Sequence, residues 1–179
     1  MPRVRTKQVS LARFAHGTAR LSPEYCGFVA AACASKFKQH GHSKPAQLRV
    51  EGAYNETINV AWDEPDARTE GSLGEKATEF AGECIGIVLS EKLTAFNVVE
   101  RSWIGTGFDF WLGKKKDPLF QRKARLETSG LDDGGNADID TRVSRKKRQV
   151  GAGSHSSCGE CLIIVSQFRR PIAKVVRDA

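Results

Sequence analysis

From Ser22 to Gln39 the apolar positions Tyr25, Phe28, Val29, Ala32, Cys33 and Phe37 recur at helical spacing. With Ser22 as cap and Pro23 at the first position, the pattern predicts an amphipathic helix. His40-Gly41-His42 ends it. Gln47 to Glu51 and Thr57 to Trp62 then read as two strands joined by the turn Gly52-Ala53-Tyr54-Asn55-Glu56, a hairpin after the helix. A polar stretch, Asp63 to Glu70, precedes Ser72-Leu73-Gly74-Glu75, which has the spacing of a capping box. A long helix is predicted from there to Thr94 or Ala95, with Ala77, Phe80, Ala81, Cys84, Ile85, Val88 and Leu89 as its apolar stripe. A strand near Asn97 to Trp103 follows, then a strand carrying Asp109, a lysine-rich turn at 113–118 and a strand carrying Glu127. After the glycine and aspartate loop Gly130 to Asn136, Asp138 reads as the cap of a basic helix with Ile139, Val143 and Val150 on its apolar side. The small-residue loop Gly151 to Ser157 leads to strands at Cys161 to Phe168 and Ala173 to Arg177. Residues 1–20 are basic and weakly patterned, an arm or irregular lead-in, and leave 21–179 as a single globular domain.

Two of these strands carry the most chemistry. In Gly107-Phe108-Asp109-Phe110-Trp111-Leu112 and Lys123-Ala124-Arg125-Leu126-Glu127-Thr128-Ser129 the period is two. If Phe108, Phe110, Leu112, Ala124 and Leu126 share a core face, alternation puts Asp109, Arg125 and Glu127 together on the other. Such a cluster of acid and base can hold Mg²⁺ over a phosphate, with Asp109 and Glu127 as hard oxygen ligands. The plain alternative is two polar residues on the wet face of an antiparallel sheet.

The chain's 179 residues suit one domain, and a hydrophobic content of 40% suits a globular one. No apolar run long enough to span a membrane occurs, and the N-terminus lacks the apolar segment of a secretory signal. With five cysteines, an odd number, the expectation is a reducing, cytoplasmic setting with free thiols. The net charge of +7 is unevenly spread: residues 51–91 carry ten acids against Arg68 and Lys76, and residues 114–148 carry eleven bases against six acids. The bases bunch at Lys114-Lys115-Lys116, at Arg122 to Arg125, and at Arg142, Arg145, Lys146, Lys147 and Arg148. Basic clusters beside an acidic pair are what a nucleic-acid backbone needs near a metal, although a basic run also serves as a solvated face. Aromatics do not interleave with the bases along the chain, so no stacking platform for single strands is evident, and Trp103 and Trp111 read as packing residues. Gly105-Thr106-Gly107 reads as a bend before a strand, since the lysine-bearing spacing of a phosphate loop is absent. His155, Cys158 and Cys161 have zinc-ligand spacing, but the lack of a second Cys-x2-Cys weighs against structural zinc there.

The element order from residue 72, helix, strand, strand, strand, helix, strand, resembles the restriction-endonuclease-like (PD-(D/E)xK) superfamily. The resemblance spans about 100 residues and rests on that order together with Glu79 in the leading helix, Gly105-Thr106-Gly107-Phe108-Asp109, and Leu126-Glu127-Thr128-Ser129. The stretch Ala77 to Glu127 is also similar to uncharacterised bacterial proteins. The family resemblance implies an α/β (α+β mixed) fold, a central mixed sheet flanked by helices, here with an N-terminal helix and hairpin added. It further implies Mg²⁺ held by Asp109 and Glu127, with Glu79 as an auxiliary acid. In that family a lysine two residues after the third-strand acid activates water. Here that position is Ser129, which cannot supply a cation. Lys123 and Arg125 share the strand, and Lys146 or Lys147 could reach in from the following helix. Glu79 lies on the side of its helix opposite the apolar stripe, together with Gly82 and Gly86.

The leading expectation is therefore a Mg²⁺-dependent nuclease acting on DNA ahead of RNA, with no membrane partner. Arg125 or Lys123 would neutralise the phosphate or orient water. The alternatives are a nucleic-acid-binding or regulatory module that lost its reactive lysine, or a small interaction or immunity factor. No compact Ser/His/Asp or Cys/His signature recommends an acyl transferase.

Overall fold

The computed structural model describes residues 7–116 and 121–178. The start of the basic lead-in and the end of the lysine-rich turn lie outside them. The chain is a mixed α/β fold built on one eight-stranded sheet, with strand order β1-β3-β2-β8-β7-β6-β5-β4. β1 (Lys7–Ser10) and the single-turn α1 (Leu11–Phe14) belong to that sheet and its core, which corrects the expectation of an arm or irregular lead-in over 1–20 for residues 7–14. Val9, Leu11 and Phe14 are buried, and β1 pairs in parallel with β3. A four-residue strand is too short for its alternation to register against the surrounding charges.

Helix α2 (Pro23–Gln39) starts at the Ser22 cap, and β2 (Ala46–Gly52) and β3 (Glu56–Ala61) form the expected hairpin. The hairpin joins the main sheet through the parallel pairing of β2 with β8. The next helix differs from the expectation. Asp66, accepting from the backbone N–H groups of Arg68 and Thr69, caps α3 (Ala67–Leu73), and a 3-10 turn at Gly74–Lys76 leads into α4 (Ala77–Leu93). The Ser72 hydroxyl donates back to the Arg68 carbonyl, so the apparent capping box sits inside a helix end.

β4 (Phe96–Arg101), β5 (Phe110–Lys114) and β6 (Ala124–Leu131) form an antiparallel meander; α5 (Asn136–Ala152) then crosses to β7 (Cys161–Gln167), parallel to β6, and β8 (Ile172–Asp178) closes antiparallel. One sheet face, with Phe110, Leu112, Ala124, Leu126 and Leu162, packs against α2 and α4. The other, with Trp111, Cys161, Ile163 and Val165, packs against Ile139, Val143 and Val150 of α5. Phe108 joins Trp111 on this second face, not Phe110 as alternation predicts. Residues 102–109 are a bend, with Gly105 and Gly107 at positive φ, so the period of two begins only at Phe110.

Register positions the site. β5 pairs with β6 only as far as Leu126, whereas β6 runs on to Leu131 along β7. From Glu127 onward one edge of β6 has no strand beside it among the described residues, and α4 and α5 straddle that edge. α4 comes very close: a Cβ built on Gly82 would lie 2.4 Å from the Gly130 nitrogen, and one on Gly86 would lie 2.3 Å from Thr128 Cγ2. The two glycines therefore face the sheet.

Candidate active site

Where the edge of β6 opens, a cleft of about 310 Å³ is lined by Thr78, Glu79, Glu83, Asp109, Thr128, Ser129, Arg142 and Lys146, among others. Asp109 lies at the end of the bend before β5. Its Oδ2 accepts from the Thr128 backbone N–H at 2.8 Å and from the Thr128 hydroxyl at 2.7 Å, replacing the ladder partner that β5 no longer provides. Thr128 faces α4, whereas Arg125 and Glu127 face α5. Asp109 thus bridges the edge of the sheet instead of sharing one face with the other two. Its Oδ1 accepts no hydrogen bond from any described residue.

Glu127 is fully buried beneath α5. Its Oε1 is ion-paired with Lys146 Nζ and accepts from Gln149 Nε2 at 3.1 Å, while its Oε2 has no hydrogen-bond partner among the described residues. Gln149 Nε2 also approaches the Gly107 carbonyl at 3.2 Å, tying the bend to the site. Loss of hydration pushes the Glu127 carboxyl up to about 7, and the neighbouring Asp109 charge adds to the rise against the pull of Lys146 and Gln149. Burial likewise raises Asp109 above its ordinary value, opposed by the two Thr128 hydrogen bonds and by Lys146.

Arg142, Lys146 and Gln149 follow one another at i, i+4 and i+7, a polar stripe on α5 beside its buried one. Arg142 Nη1 donates to the Ser129 hydroxyl at 2.8 Å. Ser129 is thus flanked by an arginine and a lysine that both descend from α5. Besides Thr128 and Gln149, sequence reading missed Glu83 as a functional candidate. It is buried, accepts from Tyr25 Oη at 2.6 Å and from Arg101 at 2.7 and 3.1 Å, and adds its charge to the rise at Asp109. Its signal was an acid one helical turn after Glu79, inside a stretch otherwise apolar on both sides.

The other expected site residues are distributed as follows. Glu79 is exposed at the cleft mouth. Arg125 is buried away from the cleft, donating to the Gly159 carbonyl at 2.7 Å and lying over Phe108, with Nε and Nη1 unpartnered among the described residues. Lys123 is exposed and outside the lining. Lys114, Lys115 and Lys116 are exposed at the end of β5, where Lys115 caps the C-terminal carbonyls of α4. Arg145, Lys147 and Arg148 point outward on α5. Arg122 pairs with Glu100 and lies over the rings of Trp103 and Trp111. His155 packs against Trp111, and Cys161 is buried in β7. Among the described residues no three His, Cys, Asp or Glu side chains are grouped as metal ligands, and no helix is long and apolar enough to cross a membrane.

Comparison with known proteins gives no match to a protein-family model, a curated protein or a solved structure.

Proposed function

We propose that the chain is a Mg²⁺-dependent phosphodiester hydrolase acting on nucleic acid, DNA ahead of RNA, on a restriction-endonuclease-like scaffold. The observation that carries this reading is Lys146, which brings a cation from α5 to Glu127 beside Asp109. It offers the charge that Ser129 cannot. The donor set suits Mg²⁺: Glu127 Oε2 and Asp109 Oδ1, neither with a hydrogen-bond partner among the described residues, are hard carboxylate oxygens. That ion commonly takes one or two carboxylates and completes its shell with water and substrate phosphate. A bound Mg²⁺ would supply Lewis-acid polarisation of the phosphate and a more acidic water.

The chain's own residues do the rest. Thr128 fixes the Asp109 carboxylate through two hydrogen bonds, leaving the other oxygen available. Gln149 holds Glu127 from the opposite side, so that Lys146 can turn from its carboxylate partner toward an incoming phosphate. There the ammonium orients the attacking water and stabilises the charge that develops on the phosphoryl oxygens. Arg142, at the cleft wall, neutralises a neighbouring phosphate.

The test is calorimetric titration with Mg²⁺ and Mn²⁺. Wild type should bind with an affinity that climbs as pH rises through about 7, where Glu127 gives up its proton, and Asp109→Asn and Glu127→Gln should each bind at least tenfold more weakly. Equal binding by all three proteins would remove the metal site.

A further inference from the structure

A second cleft, of about 540 Å³, shares Asp109 and Gln149 with the vicinity of the candidate site and is otherwise lined by Arg101, the bend that follows it and the end of α5. Its rim carries the two large hydrophobic side chains most exposed among the described residues, Trp103 at 63% and Ile104 at 106% of full exposure. Exposed side chains of this size are a liability in water, and here they are held up by a pinned segment. Thr106 is buried, and its hydroxyl lies 2.9 Å from both the Ser102 hydroxyl and the Trp103 carbonyl. Gly107 and Gly153 let the bend press on the end of α5: a Cβ on Gly153 would lie 1.9 Å from the Thr106 carbonyl oxygen, and one on Gly107 would lie 2.6 Å from that of Gln149. The Arg122 guanidinium, 5.4 Å from the Trp103 ring centroid and 5.2 Å from that of Trp111, backs the indole. Trp103 is therefore not the packing residue that the sequence suggests, and folding joins aromatic and base where the linear sequence keeps them apart.

We infer that Trp103 and Ile104 form a stacking platform for an unpaired nucleobase next to the phosphate that a metal at Asp109 and Glu127 would bind. The inference deepens the hydrolase reading by naming its substrate class, nucleic acid with a single-stranded or extruded base, and it rests on that reading. A π-face backed by a guanidinium stacks any base without regard to sequence. The β-branched Ile104 side chain can wedge against the next base. The cleft behind them has the volume of a small-molecule pocket, room for one base and its sugar.

The experiment measures binding of a fluorophore-labelled single-stranded DNA oligonucleotide, and of its blunt duplex, with chelator present. Wild type is compared with Trp103→Ala, Trp103→Phe and Ile104→Ser. Because Trp62 and Trp111 are buried, contact quenching of the intrinsic fluorescence by a stacked base reports on Trp103. The single strand should quench it in wild type and not in Trp103→Phe. Trp103→Ala should weaken single-strand affinity about five- to a hundredfold, Trp103→Phe should keep most of it, and duplex affinity should hardly move. Single-strand binding by Trp103→Ala equal to wild type, or quenching that survives in Trp103→Phe, overturns the platform. A parallel Mg²⁺ cleavage assay separates the two ideas. Cleavage with unchanged KM in Trp103→Ala sinks the platform and leaves the hydrolase. Trp103-dependent binding without any cleavage sinks the hydrolase and leaves the platform.

Discussion

Replacing Glu127 by glutamine should change how stability responds to pH, because a fully buried carboxyl has been pushed up from its ordinary 4.5 to about 7. Between those values the folded state holds the Glu127 proton more tightly than the unfolded chain does. Stability therefore falls as pH rises through this window, the reverse of a salt-bridged carboxylate whose pKa is depressed. The interval corresponds to about 3 kcal/mol once Glu127 is fully ionised above pH 8. A glutamine side chain does not titrate, yet its amide oxygen can still accept from Lys146 and Gln149. Any constant cost of its unpartnered amide nitrogen cancels when one variant is followed across pH. Urea unfolding of wild type and Glu127→Gln from pH 4.5 to 8 should show the stability difference growing in favour of the variant by about 3 kcal/mol. Mg²⁺ should recover part of the wild-type loss at high pH and stabilise the variant much less. A difference that stays flat across pH would mean that Glu127 is hydrated and ionises normally, which would refute the burial argument.

Two further outcomes test the packing and the charge. Gly82→Ala forces a methyl group to within 2.4 Å of the Gly130 nitrogen and should cost about 2 kcal/mol or more in denaturant unfolding, whereas Gly71→Ala on α3 has nothing within 4 Å and should stabilise by about 0.5 kcal/mol. Alanine at Arg145, Lys147 and Arg148, all exposed on α5, should flatten the dependence of nucleic-acid affinity on salt by roughly one unit of slope for each phosphate that is no longer neutralised. Unchanged salt titrations would take this face out of the nucleic-acid interface.

The strand and helix order was legible because α2 and α5 carry a helical period, β2 and β3 alternate around a turn, and β7 and β8 are apolar segments separated by Arg169-Arg170-Pro171. The cap of α5 was not, since the helix starts at Asn136 and Asp138 lies inside its first turn, accepting from the Gly135 backbone N–H. The failures share a cause. Ser72 has the residues of a capping box, but Asp66 lies six residues earlier and makes a better cap, accepting from two backbone N–H groups. Phe108 follows the alternation on paper, but Gly105 and Gly107 bend the chain at positive φ and break the count. The helical period puts Gly82 and Gly86 on one side with Glu79, yet only tertiary packing shows that β6 lies against them. Within the site, Glu127 was readable from strand alternation and Lys146 from its place on a basic helix. Glu83 and the Trp103–Arg122 stack were not, since each depends on two distant segments meeting.

The most direct measurement is cleavage of plasmid DNA, single-stranded DNA and RNA by wild type, Asp109→Ala, Glu127→Ala, Lys146→Ala and Ser129→Lys, each with Mg²⁺, Mn²⁺ or chelator. Wild type should cleave only with metal, the two acid variants should lose turnover while keeping most of their nucleic-acid binding, and Lys146→Ala should fall by about a hundredfold or more. Ser129→Lys in the Lys146→Ala background should restore part of the rate, since β6 would then supply the cation that α5 no longer does. If wild type binds these substrates and cleaves none with either metal, the hydrolase account is contradicted and the protein is a nucleic-acid-binding module.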